Sequence, residues 1–125
     1  MPTTTLSPVQ TVQDATEAAL TIAAALDDPR PFAQGNQLTG DGRAFLEGIL
    51  PALRRQLATV ARVAQNVPMN SVHYPALAEA HVELRAGVLA VGSILGGVDT
   101  GVSEVDAACV VWVHLHRAHK VVTAG

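Results

Sequence analysis

A single cysteine, Cys109, is all the thiol this chain has, so no internal disulfide can form. A lone thiol fits a reducing cytoplasm, which is the compartment the sequence predicts. Aromatic side chains are scarce too, with two phenylalanines, one tyrosine and one tryptophan in 125 residues. A core built without them must be aliphatic. Such a core lets helices approach closely and leaves little volume for an enclosed aromatic pocket. Positive charge is in deficit: 11 Asp and Glu against 8 Lys and Arg give a formal charge of −3. That excludes a general nucleic-acid binder, whose affinity needs a basic surface. Long apolar runs are missing as well. The uncharged run 86–98 falls short of the roughly 20 residues that a spanning helix needs, so no membrane role is expected. Asp14 and Glu17 stand before the apolar run 20–26, with no basic start ahead of it, which makes a poor signal peptide.

What the chain does have is helical periodicity. At this length it forms one domain with room for a real core. Residues 76–95 are the organising stretch. At about 100° per residue, Leu77, Leu84, Val88, Val91 and Leu95 fall on one stripe, with Glu79 and Glu83 opposite. His81 sits beside the leucines and is predicted to be buried. Charges stop after Arg85, as expected of a helix partly enclosed by its neighbours.

Three further helices follow from the same pattern. Ser7, Pro8 and Gln10 open the first, which carries Val9, Val12, Ala19, Ala23 and Leu26 at helical spacing. Pro29 and Pro31 end it. Residues 27–40 form the longest irregular connection. The second helix starts near Asp41, and Phe45, Leu46, Ile49, Leu50, Leu53, Leu57, Val60 and Ala64 make its stripe. Pro51 inside it predicts a kink or a break. Arg43, Arg54, Arg55 and Arg62 against Glu47 read best as a solvated face. Asn70 or Ser71 should cap the third helix, and Gly96 with Gly97 should stop it. Ser103 to Asp106 open the fourth, whose last turn holds His116, Arg117, His119 and Lys120. Residues 109–116 have the β-branched content of a strand, yet a lone strand would lack a partner, so helix is the better reading. The sum is an all-α fold: four antiparallel helices near 8–26, 41–67, 72–95 and 104–120, in an up-down bundle with a kinked second helix. Residues 1–6 are read as a disordered tail.

Chemistry-bearing patterns are few. On the last helix Cys109, Trp112, His116 and His119 share one flank, within roughly 80° of arc. Thiolate and imidazole are metal ligands, so Cys109, His116 and His119 are the candidate metal set. His81 and Trp112 are the candidate residues for a small ligand or cofactor, should the flank face the third helix. No H-E-x-x-H, C-x-x-C or G-x-S-x-G is present, and Glu79 and Glu83 lie one turn apart on an outer face. No catalytic residue and no particular cofactor is indicated. The third and fourth helices carry more apolar surface than one small bundle needs. A non-enzymatic protein that self-associates as a homodimer or higher homo-oligomer, or that docks a protein partner, is therefore the leading expectation. A small-ligand or metal-binding module is the alternative.

Overall fold

The computed structural model describes residues 7–99 and 101–123; the expected tail at 1–6 lies outside them. Among the described residues the chain forms four α-helices: α1 (Pro8–Ile22), α2 (Gly40–Asn66), α3 (Tyr74–Leu95) and α4 (Glu104–Thr123). They pack as a ring in which α2 lies between α1 and α3, and α4 closes the ring between α3 and α1. Gln13 and Thr16 of α1 meet Val122 and His119 of α4 respectively, a crossing order that makes the two antiparallel. Glu83 and Gly87 of α3 meet His114 of α4, Gly87 also meeting Leu115. The starts of α2 and α4 meet the end of α3 at one pole of the bundle. The all-α, up-down reading thus holds, and 109–116 is helix.

The core is aliphatic, as the shortage of aromatics requires. Leu46, Leu53, Leu77, Leu84, Val91, Val111 and Leu115 are fully buried. Alanine and glycine set the spacing between helices. Gly87 is the clearest case, because a Cβ there would stand 3.0 Å from Leu115 Cδ2. Among the described residues Thr16 is the one buried polar side chain, and its hydroxyl donates to the Val12 and Gln13 carbonyls. Among the described residues no buried side-chain nitrogen or oxygen lacks a partner.

Four details depart from the sequence reading. Helix α1 stops at Ile22, and 24–27 tighten into a 3-10 turn that still buries Leu26. Helix α3 starts at Tyr74 rather than near 72, with His73 at its N-cap and no side-chain cap. Ser71 instead holds the turn before it, its Oγ accepting from His73 N–H at 3.2 Å. Of the kink or break expected at Pro51, the break does not occur: helix α2 is continuous through it. The ring is exposed, so water reaches the carbonyl left without a donor. Finally, 27–40 is not wholly irregular. After a 3-10 turn at Arg30–Phe32 it forms a two-stranded hairpin, β1 (Ala33–Gln34) with β2 (Gln37–Leu38). Gly35 turns it with φ of 63°, the first-position geometry of a type II′ turn.

Helix α3 ends as its glycines predict. Gly97 takes φ of 68°, Val98 N–H donates to the Ser93 carbonyl at 3.0 Å and Gly97 N–H to that of Ile94 at 3.2 Å. That is the Schellman pattern, which satisfies two otherwise orphaned carbonyls. In the connection before α2, Arg30 donates two hydrogen bonds to the Asp28 carboxylate. They hold that carboxyl below its ordinary range and raise the guanidinium.

Candidate functional site

Cys109, Trp112, His116 and His119 all lie on helix α4, but they meet different surroundings, and His81 does not join them. His119 turns toward α1, where its Nδ1 lies 2.9 Å from Thr16 Oγ1. Trp112 is partly buried against the core, while Cys109 and His116 are exposed. His81 is half-buried, not buried as predicted. It also lies about 160° round α3 from Glu83, the residue that faces α4. His81 therefore points away from α4, and the Trp112 and His119 flank of α4 points away from α3. The arc fixes positions on α4 alone and does not say which neighbour covers which flank. Among the described residues no three of His, Cys, Asp and Glu stand close enough together to hold a metal ion.

Contacts that the sequence reading missed lie on the opposite flank of α4. His114 Nδ1 pairs with Glu83 Oε2 at 2.7 Å, joining α3 to α4. At the pole, Glu104 accepts from the Leu38 N–H at 3.0 Å and from the Arg43 guanidinium, while Arg43 also reaches the Ile94 carbonyl. One carboxylate thus ties β2, α2 and the start of α4 together, and Arg43 adds the end of α3. Both charges are partly exposed. Grouping Arg43 with the solvated arginines was therefore wrong for this residue; it lies about 60° from Leu46 on the wheel, at the edge of the α2 stripe, and that was the signal the sequence held.

Beside this network lies a cleft of about 490 Å³ between the end of α3 and the start of α4. Its walls are mainly apolar, including Ala90, Ile94, Val98, Val102, Ala107 and Val110. The cleft opens onto a larger outer face. Among the described residues, the exposed large apolar side chains are Met69 and Val72 on the 67–73 connection and six others. Those six, Val82, Leu89, Val98, Val102, Val110 and Val113, all belong to α3, α4 or the link between them. Val82, Ala86, Leu89 and Ser93 fall within about 60° of arc on α3, opposite its buried stripe. No helix among the described residues is long and apolar enough to cross a membrane. No known protein family, curated protein or solved structure matches the chain.

Proposed function

We propose that this chain is a non-enzymatic interaction protein that self-associates through the outer face of α3 and α4. The observation that carries this reading is the clustering just described. Val82, Leu89, Val110 and Val113 stand exposed on the two helices that already pack most extensively on each other, and Val110 lines an open apolar cleft with Val98 and Val102 of the link. Contiguous exposed apolar surface rimmed by polar groups marks a docking site. Two helices of about 30 Å side by side, roughly 10 Å apart, present area comparable to the roughly 800 Å² per partner of a stable interface. A homodimer in a reducing cytoplasm is the form favoured, with Cys109 free as an exposed thiol.

Size-exclusion chromatography with light scattering tests this. The mass should be at least twice the 13.0 kDa of one chain. Leu89→Glu combined with Val110→Glu should reduce it to one chain without changing the circular dichroism spectrum, because both positions are exposed. A monomer for the unaltered chain at tens of micromolar overturns the reading.

A further inference from the structure

At the other end of the same face, a depression of about 270 Å³ is lined by Glu79, Glu83, Arg117, Lys120 and Val121. Carboxylates stand on its α3 bank and cations on its α4 bank. Glu83 is engaged by His114. Glu79, Arg117 and Lys120 are exposed, and none of them appears in the ion pairs of the described residues, which are Asp28–Arg30, Arg43–Glu104 and Glu83–His114. Toward the cleft the α3 bank is uncharged, since no Asp, Glu, Lys or Arg occurs in 86–98. The face therefore has an acidic corner, a basic corner, an uncharged end of α3 and, beside that end, a single exposed acid, Asp106, on α4.

A symmetric dimer uses one self-complementary patch about a two-fold axis. Two packings of this face are available, because α3 and α4 run side by side and antiparallel. With the axis along the helices, α3 of each protomer lies over α4 of the other, like ends level. Glu79 and Glu83 then meet the partner's Arg117 and Lys120, twice over, and the two apolar clefts close on each other. With the axis across the helices, α3 lies over α3 with ends reversed. The carboxylates then cover the uncharged 86–98 segment and lose water without gaining a cation, a penalty without return. Arg117 and Lys120 could still meet Asp106 there, but the acidic corner stays unmatched. We infer that a second copy of this chain docks with its α4 over this α3, its two-fold axis parallel to the helices, held in register by the Glu79 and Glu83 row against the Arg117 and Lys120 row. This arrangement rests on self-association through the α3 and α4 face, and it adds register and partner orientation to it.

A charge exchange separates the two ideas. One variant carries Glu79→Lys; the other carries Arg117→Glu with Lys120→Glu. All three positions are exposed, and circular dichroism checks that both variants fold as the unaltered chain does. Each variant alone should dimerise about tenfold more weakly or worse, because like charges then face each other on both sides of the axis. Mixed in equal amounts, the two should form a heterodimer whose dissociation constant returns to within about threefold of the original, since opposite signs meet again on both sides. Added salt should weaken the original dimer and the mixed pair alike. Analytical ultracentrifugation with one variant fluorescently labelled reads all of this. Weakening without rescue on mixing overturns the parallel axis and points to rows that meet Asp106 instead. No effect from any charge change, in a chain that does dimerise, overturns the register while leaving self-association standing. An unaltered chain that stays monomeric removes both.

Discussion

Gly42 shows how much one methyl group can decide. It is buried in the first turn of α2, and a Cβ there would stand 2.8 Å from Phe32 Cβ and 3.2 Å from its carbonyl oxygen. Neither atom can swing away. Phe32 stacks on Phe45 with ring centroids 5.4 Å apart, and its carbonyl accepts from Thr39 N–H at 2.7 Å. Alanine is better than glycine within a helix by about 1 kcal/mol, but overpacking costs about 1–3 kcal/mol. Gly42→Ala should therefore lower the urea unfolding midpoint, by a net loss of about 1 kcal/mol. A midpoint that rises instead would mean that the segment carrying Phe32 moves freely. The close approach could not be read from the sequence, which does not show that the segment carrying Phe32 folds back on the start of α2. Thr16 is different, because its place was legible. It lies four residues after Val12 and three before Ala19, on the stripe itself. A stripe drawn only from apolar residues left it out, and with it the contact that His119 makes with α1.

Among the elements, α2 carries a defect that packing overrides. Pro51 lacks the N–H that an interior helical position donates, and its ring crowds the preceding turn. Leu46, Ile49 and Leu53 on either side are nonetheless buried in the same core, and the helix continues. Tertiary contacts outweigh the local cost, so the sequence could foresee strain at Pro51 but not its outcome. Pro51→Ala should restore the missing hydrogen bond and raise stability by about 1–3 kcal/mol, read as a higher urea midpoint with unchanged slope. A fall in the midpoint would show that the core is fitted to a bent α2. Element ends were legible where side chains enforce them. Ser7 caps α1 through Gln10 N–H and Gly97 closes α3, both as the residue types predict. They were not legible at the α1 end, where a run of alanines offers no stop and the chain tightens into a 3-10 turn. At the other extreme, α4 runs on to Thr123 because nothing halts it after Lys120. Gln13 Nε2 donates to the Val122 carbonyl at 2.7 Å, supplying a terminal acceptor with a partner from α1. The short hairpin had its signal in Gly35 and Asn36, a two-residue loop of the hairpin type.

For the whole molecule, helix count and antiparallel order followed from period and loop length, while the neighbour of each flank did not. A wheel gives an angle within one helix; only the ring of four says that the His114 side of α4 faces α3 and the His119 side faces α1. The apolar excess of α3 and α4 was legible because it is a matter of composition, and it leads to a thermodynamic prediction. A second copy that binds the folded chain and not the unfolded one stabilises it by mass action, so melting must depend on concentration. A hundredfold rise in protein, from about 1 to about 100 μM, adds about 2.7 kcal/mol to a dimer that unfolds and dissociates together. Spread over the unfolding entropy of roughly 250 residues, that raises Tm by about 5–10 °C. The unaltered chain should show this rise in scanning calorimetry, and Leu89→Glu with Val110→Glu should melt at one temperature throughout the range. If both melt independently of concentration, the exposed valines and Leu89 contribute nothing to folding free energy through a second copy, and α3 and α4 are stable with that face in water.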